Sequence, residues 1–209
     1  VAARDGTRLD YDPAPPPGAP IEMSAGGGAF FSHGTGDAFV VRTQDPEHPI
    51  YVAQYMSGPL QGFAGPSGGW SSFGDQGDPE FVNVIPAGQF LNSYSFYADF
   101  SYRNTSLVVV RSKTRGKFHD VWLECAGVLT DFKPVGTRGD YEWTRVDLGT
   151  NGKPGLTTDA GVCSSGLHRM RSEGAFSATL CGWDSYSSYA YPGGLAQRKL
   201  VTVPLAPVN

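Results

Sequence analysis

The chain is short of charge. Only 17% of its 209 residues are Asp, Glu, Lys or Arg, and the net charge is −4. No basic stripe runs along it, so nucleic acid is excluded as a natural partner. The small net charge points to no cationic partner either. Long apolar runs are also missing. None approaches the ~20 residues that a membrane-spanning helix needs, so membrane insertion is not expected. Stretches free of helix breakers are scarce: 28 Gly and 16 Pro make up more than a fifth of the chain. The longest segment without either runs from Gln89 to Arg115, and it is rich in Tyr, Phe, Val and Ser. Even the best helical window therefore has strand composition.

What is present fits an all-β protein. Hydrophobic residues make up 40% of the chain, enough for a core. FVNVIP, QFLNSYSFY, SLVVVRS, VWLEC, YEWTRVDL and RKLVTVPL read as strands. AFSATLCGW is the clearest. Phe176, Ala178 and Leu180 fall on one face, and Ser177, Thr179 and Cys181 on the other. The expected fold is one or two packed β-sandwich lobes with long Gly/Pro-rich loops. Residues 1–209 read as a single domain. A faint "strand, turn, strand" echo divides it into lobes 1–100 and 101–209 and raises the reading of an internal duplication. The chain starts at Val1 rather than Met, which suggests a processed protein or a piece of a longer one.

The candidate chemistry is thin. GPSGG (65–69) matches G-x-S-x-G at Ser67 but precedes WSSFGDQG, which cannot open the helix that a nucleophile elbow requires. His33, His48, His119 and His168 have no metal-ligand spacing. Arg138-Gly139-Asp140 is an integrin-type tripeptide, but it sits where a hairpin turn is expected anyway. Asn104-Thr105-Ser106 is a glycosylation sequon that matters only in a host able to use it. No cofactor is expected. Calcium is the one candidate ion, at Asp75, Asp78 and Glu80, where loop carboxylates cluster without an EF-hand spacing; plain turn chemistry explains the same residues. No catalytic residues are assigned, and the chain is read as a non-enzyme.

Aromatic residues are the stronger signal. The loop 57–80 carries Phe63, Trp70 and Phe73 in a stretch with no strand pattern, and long loops on a rigid scaffold are where recognition concentrates. GWDSYSSYAYPGG (182–194) sets Trp183, Tyr186, Tyr189 and Tyr191 beside Asp184. Such residues make a contact surface of large area and low entropy cost. They also make ordinary scaffold, with rings capping a core and hydroxyls reaching water. Trp70, Phe73, Trp183, Asp184, Tyr186 and Tyr189 are the candidate ligand-binding residues.

Two blocks carry a resemblance. GDPEFVNVIPAGQFLNSYSFYADFSYRNTSLVVVRS (77–112) and HRMRSEGAFSATLCGWDSYSSYAYPGG (168–194), with LECAGVLTDFKPVGTRGDYEWTRVDL (123–148), resemble the IgGFc-binding domain family. The resemblance covers roughly residues 1–204 and is strongest from 77 to 194. It implies an extracellular β-rich module of a longer adhesive or surface protein, with no known catalytic residues, and it looks like the bacterial type. No residue here is matched to an antibody-binding site. The family's cysteine positions in the LEC–G turn and before a G–H step fall on Cys125 and Cys163, so the resemblance implies a bridge between them. The third cysteine, Cys181, leaves two alternatives open: a Cys163–Cys181 bridge, or three free thiols.

The leading functional reading is an extracellular recognition or adhesion module that binds a glycan or a cell-surface protein. The runner-up is a structural tip or spacer with no tight ligand. A secreted hydrolase comes third, for lack of a nucleophile or metal constellation.

Overall fold

The computed structural model describes residues 1–33, 36–56 and 76–201. Its regular structure is almost entirely β, as expected. Among the described residues the only helical turn is the short 3-10 segment Ala87–Gln89. The chain forms two compact units. One comprises residues 1–52, 135–139 and 197–209; the other comprises 53–134 and 140–196.

The first unit is built on β1 (Thr7–Asp12). This strand lies between β2 (Glu22–Met23) and β3 (Val40–Thr43), both antiparallel to it. Tyr11 is buried, packs near Phe39 with ring centroids 6.1 Å apart, and donates its hydroxyl hydrogen to the Pro20 carbonyl at 2.8 Å. Asp12 is a buried carboxylate at 3% exposure, so it needs partners. They come from Gly136 to Arg138. The Thr137 N–H and hydroxyl each donate to Asp12 at 2.8 Å, and the Arg138 N–H donates at 3.1 Å. Gly136 has φ +71°, and any side chain there would overlap the Asp12 carboxylate. The glycine thus shapes an anion cradle, and the protein fills it with its own Asp12. Arg138 also forks onto Asp10. Its side chain in the Arg-Gly-Asp tripeptide is therefore held in an internal ion pair.

In the second unit, β4 (Ala53–Tyr55) pairs with β5 (Phe81–Asn83). The main sheet contains β6 (Leu91–Ala98), β7 (Asn104–Ser112), β8 (Val121–Leu123), β9 (Gly127–Val128), β10 (Lys133–Val135), β11 (Tyr141–Thr150), β12 (Lys153–Pro154), β15 (Gly166–Asp184) and β16 (Ser187–Pro192). A separate ribbon joins β13 (Thr157–Thr158) to β14 (Gly161–Val162).

The 19-residue β15 organises this unit. Its first half pairs with β6 and β8, and its second half with β7 and β16. Between the halves, the register with β6 shifts from Arg171 to Phe176. Such a bulge bends a strand and steepens its twist. The backbone groups freed there are met by side chains. Ser172 and Thr114 hydroxyls accept from the Gly174 and Ala175 N–H groups at 3.0 Å each, and Ser112 donates to the Ala175 carbonyl at 3.3 Å. A side chain at Gly174 would crowd His119, whose side chain stands 3.0 Å from where the Cβ would be.

The alternation expected for 176–181 is present on its apolar side: Phe176, Ala178 and Leu180 are all buried. The other side is more covered than a solvent face. Ser177 is buried, and Thr179 and Cys181 are half-buried. Phe176, Leu107, Leu123, Leu148, Met170 and Leu180 are the largest fully buried apolar side chains. Each contributes roughly 1.5–3 kcal/mol by leaving water. Cys125 and Cys163 form the disulfide that the resemblance implied, 38 residues apart, and Cys181 is free. In the chain-entropy model, closing a loop of that length stabilises the fold by roughly 4 kcal/mol.

The Asp12 cradle gives a pH signature for the first unit. The hydrogen bonds from Thr137, then the Arg138 N–H and the Arg138 charge, hold its carboxyl below the usual carboxylate range despite burial. Its folded-state pKa lies below the unfolded value of about 3.9, so its stabilisation is complete above that pH and is lost as pH falls through the folded value. We expect Asp12→Asn to lower the melting temperature at pH 7 and to make the acid limb of a melting-temperature profile shallower. A variant profile that parallels the wild type at every pH would contradict the cradle.

Candidate functional site

The hairpin of β15 and β16 carries four of the expected contact residues, and its turn separates them. Tyr186 sits at the tip with φ +49° and is 65% exposed. Tyr189 lies across Gly182, its cross-strand partner, where a side chain would occupy the place of the ring. Its ring meets Tyr102 edge-on at 4.6 Å, and its hydroxyl oxygen accepts from the Asp99 N–H at 3.2 Å. The neighbouring Tyr191 donates to the Tyr97 carbonyl at 2.5 Å and accepts from the Tyr97 N–H at 3.2 Å. Both hydroxyls are thus committed to the backbone of β6 and the turn after it. Burial pushes both phenols above the ordinary tyrosine range.

Asp184 acts as a clamp. Burial would raise its carboxyl, but hydrogen bonds from Ser185 and Arg103 outweigh that and hold it below the ordinary range. Those contacts are 2.6 Å from the Ser185 N–H, 2.9 Å from the Arg103 N–H and 2.7 Å from its Nε. Trp183 is half-buried, with the Arg145 guanidinium 5.8 Å from its ring.

Trp70, Phe73 and Asp75 lie outside the described residues, as does Ser67. The Asp78 N–H donates to the Ser188 hydroxyl at 2.8 Å, and the Glu80 carbonyl accepts from Met56. Among the described residues, no three His, Cys, Asp or Glu side chains converge as a metal site. His168 donates its Nε2–H to the Ser164 carbonyl at 2.6 Å and stacks on Phe96, in keeping with a scaffold histidine.

A different surface is more open. A groove of about 450 Å³ lies over the outer face of β6, the first half of β15, and β8 with the residue after it. Its floor follows from register. Ser93, Arg171 and Trp122 stand in one cross-strand row, because Arg171 pairs with Ser93 on one side and Trp122 on the other. Ser95 and Arg169 form the next row, which Glu124 joins through its N–H bond to the Arg169 carbonyl at 3.0 Å. Alternation points these side chains outward while Tyr94, Phe96, Met170 and Leu123 fill the core beneath. The Arg171 guanidinium stacks over Trp122, 4.7 Å from the ring centroid. Arg169 faces Glu124 at 3.7 Å, and both are well exposed. Tyr97, Leu167 and Val128 continue the same face as exposed apolar residues.

The sequence reading missed this groove. The signal was present as three alternations: Ser93 with Ser95, Trp122 with Glu124, and Arg169 with Arg171. Only the strand register brings them together.

Cys181 also has a defined character. Burial pushes its thiol up to about 11, with Arg145 pulling weakly the other way. At pH 8 we expect iodoacetamide to modify it slowly in the folded protein and rapidly after unfolding, since the thiolate is the nucleophile. The unfolded thiol ionises near 8.5, so this residue's contribution to stability falls as pH rises from there toward 11. Native alkylation at the rate of a free cysteine would contradict that burial.

No curated protein and no solved structure matches the chain. A family model does: the one described as IgGFc binding protein matches residues 1–182, most of the chain. On that match, the chain belongs to the IgGFc binding protein family.

Proposed function

We propose that this chain is a non-catalytic recognition module of a secreted or surface-displayed protein, and that it meets its partner through the outer face of β6, β15 and β8. One observation carries this reading. That face holds Trp122, Arg171, Arg169, Glu124 and two serines above a fully packed core, in an open groove of about 450 Å³. A rigid floor with a half-buried indole beside exposed guanidinium groups is the composition of binding hot spots. The family's description speaks for binding rather than turnover. The Cys125–Cys163 bridge suits an oxidising compartment outside the cell. No helix among the described residues is long and apolar enough to cross a membrane.

The structural-spacer reading draws on the hairpin, where Tyr189 and Tyr191 are committed to β6. That commitment braces the module and leaves the groove free, so bracing and recognition fall to different surfaces. In this account the partner is a glycan or a glycoprotein of a cell surface or its surroundings.

The test is binding to a panel of immobilised extracellular glycoproteins and glycans, with immunoglobulin Fc among them because the family description names it. Wild-type protein, Trp122→Ala, Arg171→Ala and Tyr186→Ala are compared, each checked for folding by circular dichroism. We expect selective binding that the two groove variants weaken roughly tenfold or more and Tyr186→Ala does not, as for removal of a central anchor. Binding lost with Tyr186→Ala and unchanged by both groove variants would move the site to the hairpin tip.

A further inference from the structure

We infer that the groove recognises a carboxylated sugar, and that Arg171 holds the carboxylate. This rests on reading the β6–β15–β8 face as the recognition surface.

The argument begins with how the arginines are occupied. Arg111 is bound to Glu142 at 2.6 Å and to the His119 carbonyl at 3.1 Å. Arg103 is held by Asp184, Arg138 by Asp10, and Arg145 by Asp147 at 2.9 Å. Arg169 faces Glu124. Arg171 differs. Its contact among the described residues is the Trp122 ring, and no carboxylate pairs with it. Packing on an indole restrains the guanidinium while leaving its N–H donors without a hydrogen-bond acceptor among the described residues. A planar, restrained fork of this kind matches a carboxylate in bidentate fashion.

The neighbours specify the rest of the ligand. Ser93 stands beside Arg171 in the same row and adds a hydroxyl. The next row, about 6.6 Å along the strands, offers Ser95, Arg169 and Glu124. Glu124 is acceptor-only when ionised, so it calls for hydroxyl or amide donors and repels a second anion. A densely charged ligand, such as a run of acidic residues in a peptide, would place a negative charge against it. A pyranose ring with one carboxylate fits both rows: the acid group lies on Arg171 and Ser93, and the ring hydroxyls lie on Glu124, Arg169 and Ser95. The groove volume of about 450 Å³ falls within the usual range of small-ligand sites, ~300–1,000 Å³.

The experiment uses the whole chain on immobilised oligosaccharides ending in sialic acid or glucuronic acid. The same sugars with their carboxyl reduced to an alcohol, and an oligo-glutamate peptide, complete the set. We expect the acid sugars to bind, and carboxyl reduction to weaken binding roughly tenfold or more, as loss of a charge-assisted bidentate pair does. Arg171→Lys keeps the charge and loses the fork, so it should weaken binding to a similar degree. Arg115→Ala, outside the groove, should leave it unchanged. Circular dichroism and melting temperature confirm that each variant is folded. Equal binding of acid and reduced sugars, or acid binding unaffected by Arg171→Lys, overturns the proposal. So does failure of every acid sugar to bind. Arg171-dependent binding of the oligo-glutamate peptide alone overturns the sugar while leaving the face as the recognition surface. A protein partner whose binding survives both Arg171→Lys and Trp122→Ala removes the face as well.

Discussion

One strand sets the terms for most of this molecule. β15 is long enough to need partners for 19 residues, and four strands divide that task between its two halves. A strand so long does not stay flat. Twist accumulates, and the bulge between Arg171 and Phe176 bends it at the point where its neighbours change. Phe176 lies at the bend, fully buried, with Tyr94 packed edge-on against it at 4.9 Å. The Tyr94 hydroxyl donates to the Phe176 carbonyl at 2.6 Å, which ties β6 to the bend. The first half of β15 then presents Arg169 and Arg171 outward, and the second half carries the aromatic hairpin. The candidate groove and the braced hairpin are therefore consequences of the same strand.

The polar groups sort by whether the protein has already used them. Asp12 fills its own cradle. Asp184 clamps Arg103 and the hairpin turn. Tyr189 and Tyr191 satisfy the backbone of β6 and its following turn. Arg111 is bound to Glu142 and stacked 3.8 Å from the Phe132 ring centroid. Groups spent in this way hold the fold and have little left for a ligand. Arg171, Ser93 and Ser95 are placed on the same scaffold with hydrogen-bonding capacity in hand. This contrast, more than aromatic content, separates a recognition surface from a well-packed one.

Much of the fold was legible in the sequence, and the reasons are local. Gly and Pro content excluded helices. Period-two alternation located β6, β7, β11 and the apolar side of β15, because side chains on a strand must alternate and one face must leave water. The Cys125–Cys163 bridge came from family resemblance; spacing alone left its rivals standing. The groove was not legible. Ser93, Trp122 and Arg171 are far apart in the chain, and each sits in an unremarkable alternating segment. Their meeting depends on strand order and register, which are long-range properties. The interleaving of residues 135–139 with the first unit has the same origin. The tyrosines of 182–194 stood out for composition, yet hydrogen bonds to distant backbone decide what Tyr189 and Tyr191 do.

The central claim is that the ligand sits on the outer face of β6, β15 and β8. The most direct measurement is a nuclear magnetic resonance titration that follows arginine Nε–H and tryptophan indole N–H signals as a sialic-acid-terminated oligosaccharide is added. The account predicts that the Arg171 and Trp122 signals shift together and saturate, with Arg169 following and the Arg103, Arg111 and Trp183 signals unmoved. Shifts confined to Trp183 and its surroundings, with Arg171 and Trp122 unchanged, would contradict it.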